Sequence, residues 1–124
     1  MFDHISIGVK DLKASAVFYD AVLKPLGFTR LYDGAAGLGY GAKNPRFWVE
    51  QVARPVPADP ESGLHLCFTA PDRASVQAFH AAALAQGGRD NGAPGLRPQY
   101  TPTYYAGFIL DPDGYRIEAV CYGE

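Results

Sequence analysis

The feature that most constrains this chain is that it repeats itself. A step of 61 positions carries His4 onto His65, Asp11 onto Asp72, Phe18 onto Phe79, Ala21 onto Ala82, Leu23 onto Leu84 and Gly27 onto Gly88. The matches run without a gap through strand, helix cap, helix face and helix stop. Such self-similarity marks a duplicated supersecondary unit. A chain of 124 residues has room for one domain made of two such units, at about residues 1–53 and 64–124. Residues 54–63 between them hold Pro55, Pro57 and Pro60. They suit neither helix nor interior strand and are the expected linker.

Each copy reads as a strand, a helix and three more strands. Residues 2–9 alternate, with Ile5, Ile7 and Val9 pointing one way and His4, Ser6 and Gly8 the other. Asp11 is a helix N-cap. Leu12, Ala16, Tyr19 and Leu23 follow on one helix face, which Pro25 and Gly27 end. The second copy sets Leu64, Leu66 and Phe68 against His65, Cys67 and Thr69. Pro71 is expected in the first helical turn, Val76, Phe79 and Ala83 form the stripe, and Gly87 and Gly88 stop the helix. Further strands are expected at 28–32, 38–42 and 46–52, then at 105–110 and 115–122. The last two are joined by the turn Asp111-Pro112-Asp113-Gly114. Residues 88–104 read as a poor strand with a long loop at 91–98. His80 is expected as a surface or half-buried helix residue, not a ligand. The fold class is α+β, two tandem βαβββ modules.

Charge and composition exclude several functions. A net charge of −2 gives no basic footprint for nucleic acid or an anionic membrane. No apolar run approaches a spanning helix and no leader pattern opens the chain, so a cytoplasmic location is expected. Two cysteines, Cys67 and Cys121, are too few for a disulfide framework and read as small buried hydrophobes.

The chemistry falls on the sheet faces that the helices do not cover. On the first strand of each half that face carries His4 and His65. The same parity on the last strands gives Trp48, Glu50 and Val52, then Arg116, Glu118 and Val120. Each half thus offers a His and a Glu. Such groups on central strands are costly unless paired or metal-bound. Two imidazoles and two carboxylates suit Ni²⁺, Zn²⁺, Mn²⁺, Co²⁺ or Fe²⁺. Two metal-free His–Glu pairs, or a solvated face, would use the same residues. Recurrence in both halves favours the metal.

Asp3-His4-Ile5-Ser6-Ile7-Gly8-Val9, the helix with Phe18-Tyr19, and Asp111-Pro112-Asp113-Gly114-Tyr115-Arg116-Ile117-Glu118 resemble the glyoxalase/bleomycin-resistance/extradiol-dioxygenase (vicinal oxygen chelate) superfamily over nearly the whole chain. The resemblance implies a U-shaped mixed sheet with helices on its outer face, usually in a homodimer. It implies His4, His65 and Glu118 as the two-histidine, one-carboxylate set of the dioxygenase and fosfomycin-resistance branches. Glu50 matches the fourth ligand of bacterial glyoxalase I. The loop at 92–98 and Tyr104-Tyr105 resemble an uncharacterised glyoxalase-like subgroup instead.

The expected function is a glyoxalase-like lyase or isomerase. A divalent metal would bind two vicinal oxygens of a small substrate and stabilise an enediolate as a Lewis acid, while Glu118 or Glu50 moves a carbon-bound proton. Arg97 or Arg116 would hold an anionic end of the substrate, and Tyr40, Trp48 and Tyr105 would line an apolar wall. The alternatives are an Fe²⁺ ring-cleaving dioxygenase on His4, His65 and Glu118, and a metal-free protein that sequesters a small molecule.

Overall fold

The computed structural model describes residues 1–123; Glu124, the last residue of the expected second module, lies outside them. The first half runs β1 (Ile5–Val9), α1 (Leu12–Leu23), a short 3-10 turn (Lys24–Leu26), β2 (Thr29–Asp33), β3 (Gly37–Gly41) and β4 (Phe47–Gln51). The second runs β5 (Leu66–Thr69), α2 (Arg73–Ala85), β6 (Arg89–Leu96), β7 (Tyr105–Leu110) and β8 (Arg116–Cys121). The α+β class and the two βαβββ units stand as expected. The sheets have orders β1-β4-β3-β2 and β5-β8-β7-β6, the same topology twice. β1 and β5 are edge strands, and each runs parallel to the last strand of its own half.

The helices begin and end for local reasons. Asp11 accepts from Lys13 N (3.0 Å) and Ala14 N (3.2 Å), and Asp72 accepts from Ser75 N (2.8 Å), so each satisfies amides that the first turn leaves free. Pro71 stands before that cap, not inside the first turn. Gly27 and Gly87 follow the helical segments at φ +91° and +92°, a left-handed conformation that a Cβ penalises.

Both helices bury into one core. Phe18, Tyr19, Val22 and Leu23 of α1 join Phe79 and Ala83 of α2, with Val9 and Val49 from one sheet and Ile109, Ile117 and Ala119 from the other. The halves are also pinned by polar contacts at the Asp111–Gly114 turn. Tyr19 Oη donates to Asp111 Oδ2 (2.5 Å), Lys10 N to Asp113 Oδ2 (2.9 Å) and Tyr115 Oη to the Gly8 carbonyl (2.6 Å). Asp111 is therefore buried and is more than a turn residue. Among the described residues no helix is long and apolar enough to cross a membrane.

Two expectations are corrected. Most of the stretch expected as a long loop at 91–98 belongs to β6, the longest strand at 8 residues. Its ladder with β7 shifts register on both sides of Gly92, which sits at φ +144°. Pro94 is tolerated because β6 is an edge strand with one side unpaired. His80 is buried, not at the surface, with Nε2 2.9 Å from Asp90 Oδ1 on β6.

Candidate functional site

Strand register decides which side chains meet. In the second sheet Cys67 of β5 pairs with Glu118 of β8, which pairs with Phe108 of β7, which pairs with Gly92 of β6. These four cross the face opposite the helices. Neighbours of Glu118 along β8, Ile117 and Ala119, are in the core, so strand alternation fixes its direction. His65 precedes β5, two residues before Cys67 and on the same parity. Its Nε2 lies 3.0 Å from Glu118 Oε1.

Glu118 is only 2% exposed and has a second partner. Tyr104 Oη donates to Glu118 Oε2. Both carboxylate oxygens are thereby engaged, which is what a buried carboxylate needs. Burial, followed by the bond to Glu118 and its charge, raises the Tyr104 phenol above its ordinary range, so it stays a neutral donor. Cys67 is exposed as a residue, yet burial around its sulfur and then the Glu118 charge push the thiol up to about 12. It is a thiol, not a reactive thiolate.

The first half differs at the equivalent place. Ser6 of β1 pairs with Trp48 of β4, which pairs with Gly39 of β3, which pairs with Tyr32 of β2. The 61-position step puts Ser6 on Cys67, so Trp48 stands where Glu118 stands. Glu50 pairs with Gly8, two residues and about 6.6 Å further along the strand, and is exposed. Glu50 has the free-face parity but not the place of a second Glu118; the two His–Glu pairs are not equivalent. Trp48 instead packs against Tyr32, ring centroids 5.4 Å apart. A Cβ on Gly39 would meet Trp48 Cζ3 at 2.8 Å, so the bare glycine lets the indole lie there. His4 is exposed, with Nδ1 2.7 Å from Asp3 Oδ1. That contact holds the Asp3 carboxyl below its ordinary value.

The chain does not gather the four expected ligands. Among the described residues no group of three or more His, Cys, Asp or Glu stands close enough to hold a metal. The reason is that His4 and Glu50 project from one sheet and His65 and Glu118 from another, with no strand pairing between the sheets among the described residues. His4 and His65 do line a common cleft of about 1110 Å³, walled by Phe28, Phe47, Leu66 and Phe68.

The expected substrate contacts divide. Tyr40 is buried on the helix side, at the back of the cleft, with its Oη donating to Asp20 (2.8 Å). Tyr105 has the helix-side parity of its partner Cys121. Its Oη accepts from Gln77 Nε2 of α2 (2.9 Å) and its ring lies under Arg73. The wall residue is Tyr104, one position earlier. The sequence carried a signal for it, two adjacent tyrosines at the start of β7, but strand parity could not be set across the irregular stretch before them. Arg97 donates to the Ala93 carbonyl (2.8 Å) and lies over Phe108 at 5.3 Å. Arg116 has the parity of Glu118 but donates to the Leu64 carbonyl (3.2 Å), which fixes the segment carrying His65.

Only the second half brings a histidine and a carboxylate together. His65 Nε2 and Glu118 Oε1 offer a nitrogen and an oxygen side by side, and His4 on the other sheet is a second exposed imidazole. An indole at the fourth place supplies no ligand. A metal here would need His4 as well, giving the two-histidine, one-carboxylate set typical of Fe²⁺ and related ions, and the described residues of one chain do not bring the three together.

Comparison with known proteins gives a consistent picture. A family model described as Glyoxalase/Bleomycin resistance protein/Dioxygenase superfamily matches residues 1–119. A glyoxalase/bleomycin resistance protein from Albidiferax ferrireducens T118 superposes with a TM-score of 0.86 at 32% identity, over 97% of this chain and 98% of that one. A glyoxalase-related enzyme from Fulvimarina pelagi has a TM-score of 0.74 at 21% identity, over 97% and 86%. A genomically encoded fosfomycin resistance protein from Listeria monocytogenes has 0.68 at 14%, over 94% and 88%, a likeness of fold alone. No curated protein matches the chain in sequence.

Proposed function

Because the chain belongs to the glyoxalase/bleomycin resistance protein/dioxygenase superfamily, we propose that it is a metal-dependent enzyme for a small substrate carrying vicinal oxygens, its site completed across a homodimer. The observation that carries this reading is Glu118, a buried carboxylate on the uncovered sheet face, held by His65 and Tyr104. His65 and Glu118 would hold a divalent ion, with His4 of a second copy as the third ligand. Such an ion supplies Lewis acidity toward two neighbouring substrate oxygens.

The chain's own residues do the rest. When not occupied by the ion, Glu118 Oε1 would take a carbon-bound proton and return it, the chemistry of a glyoxalase-like lyase or isomerase. Tyr104 keeps Oε2 hydrogen-bonded throughout. Trp48 and Tyr32 offer the substrate an apolar wall from the first half. Glu50 has no part in the set.

Two features support the dimer. Among the described residues β1 and β5 each leave one backbone edge unpaired, and exposed edges invite pairing with another chain. Phe2 and Leu64, just before them, are exposed apolar side chains, of the kind interfaces bury.

The test is turnover of a panel of hemithioacetals and α-oxygenated acids by protein loaded in turn with Ni²⁺, Zn²⁺, Mn²⁺, Co²⁺ and Fe²⁺. Metal-dependent turnover lost in Glu118→Gln supports the reading. Silence across the panel, with no metal retained, moves the function to metal-free binding. A second reading, ring cleavage by Fe²⁺, is favoured by Trp48 at the fourth ligand's place, because three ligands leave positions for a catechol and O₂. Yellow product from catechols in air selects it.

A further inference from the structure

We infer that Tyr104 is a positioning residue that holds Oε2 of Glu118 and so directs Oε1, the oxygen beside His65, toward a ligand. The inference rests on the metal-dependent reading above and deepens it. An ionised carboxylate has two oxygens and can bind through one or both. Which it does depends on what holds it before the ligand arrives.

Tyr104 is built to hold Oε2. Its phenol donates to that atom, and its own position is fixed from several sides. The ring is wedged between Tyr100 (centroids 5.0 Å apart, 61° between planes) and Tyr122 (5.3 Å, 89°). Both angles are edge-on arrangements that aromatic rings favour. The backbone is tied into a closed strap, with Arg97 N donating to the Tyr104 carbonyl (2.7 Å), Tyr100 N to the Arg97 carbonyl (3.0 Å) and Tyr104 N to the Thr101 carbonyl (3.2 Å). The strap's first residue is anchored in turn, since the Arg97 guanidinium lies over Phe108, the cross-strand neighbour of Glu118. The strap and the carboxylate are thus fixed to one row of the sheet.

The consequence is directional. With Oε2 committed to a neutral phenol, a metal or a substrate proton meets Glu118 at Oε1. There the carboxylate acts through one oxygen, in line with His65 Nε2. Tyr104→Phe removes the hydroxyl and keeps the ring between its neighbours. Oε2 then lacks its donor, and Glu118 is free to turn and bind through both oxygens.

The experiment compares wild type, Tyr104→Phe and Tyr122→Phe, the last keeping the wedge and not touching Glu118. Co²⁺ is the probe, because the intensity of its visible absorption reports coordination number, and hydrogen exchange of the amides at 97–104 is read on the metal-free proteins. The expected result for Tyr104→Phe is weaker Co²⁺ absorption, as an extra oxygen joins the shell. Affinity falls by roughly 10–100-fold, the usual effect of losing a partner of a metal ligand, and strap exchange is faster by about tenfold. Tyr122→Phe stays at wild-type values in both. A Co²⁺ spectrum and affinity unchanged by Tyr104→Phe overturn the inference. If wild type itself takes no Co²⁺, the metal-dependent reading fails. The exchange arm then decides separately: faster exchange confined to Tyr104→Phe upholds the tie to Glu118, and unchanged exchange removes it.

Discussion

The two halves share a lattice and differ in what stands on it. At one equivalent place the first half has Trp48, packed on Tyr32 over a bare Gly39. The second has Glu118, held by His65 and Tyr104. The histidines that open the two halves differ in the same way: His4 is exposed beside Asp3, and His65 is bonded to a buried carboxylate. Duplication conserved what a strand or helix needs, the caps, stops and apolar stripe. On the uncovered face it kept the opening histidines but not the residue of the last strand, Trp48 in one half and Glu118 in the other. On the proposed reading, one half would offer an apolar wall and the other the acid–base group.

Substitutions at the equivalent places should separate these roles. The largest effect is expected at Glu118→Gln, which should abolish retained metal and lower turnover by more than about 100-fold. Trp48→Leu should retain the metal and raise KM, read by elemental analysis and steady-state kinetics on the same preparations.

Next in size is the shared core. Phe18→Ala and Phe79→Ala, the same residue in the two copies, should each cost about 3–5 kcal/mol. Because both side chains are in one core, each variant should unfold in a single transition by calorimetry and by denaturant. A first half that melts alone in Phe18→Ala would break the picture of one joint core.

The Asp111 turn should give a smaller, pH-dependent effect. Burial raises its carboxyl to about 6 from 3.8, against the pull of the Tyr19 bond. In that interval the folded chain holds a proton that the unfolded chain has lost. Stability from this group is present below about pH 4 and lost as the pH rises through about 6. Asp111→Asn should flatten that slope, by at most about 3 kcal/mol between the two limits. An unchanged difference in melting temperature between pH 4 and pH 6.5 would count against it.

The smallest effect belongs to Glu50→Gln. An exposed carboxylate outside the site should change metal affinity and stability by no more than roughly twofold and 0.5 kcal/mol. Titration calorimetry and thermal melts check it.

Much of this was legible in the sequence because it is periodic. The repeat step placed both helices, Asp11 and Asp72 as caps, Gly27 and Gly88 at the helix ends, and His4 and His65 on equivalent positions. Parity correctly aimed Glu118 and Trp48 away from the helices. Register along the strand was not legible where spacing differs between the halves. The hydrophobic–Glu pattern of Val49-Glu50 matches Ile117-Glu118 in letters, but the parallel pairing of β1 with β4 aligns Trp48 with Glu118. Register against a neighbouring strand cannot be read from either strand alone. The shifts around Gly92 hid β6 and with it the parity of residues 97–105, so Tyr105 was expected where Tyr104 stands. Bonds that join the halves through Asp111 and Tyr19, 92 positions apart, leave no local pattern at all.

The central claim is that the ligand set is His65, Glu118 and His4 without Glu50. Metal content by elemental mass spectrometry, on untagged wild type and on His65→Ala, His4→Ala and Glu50→Ala, tests it most directly. The account predicts near-stoichiometric metal in wild type and Glu50→Ala and its loss in both histidine variants. Metal that disappears with Glu50→Ala, or survives His65→Ala, would contradict it.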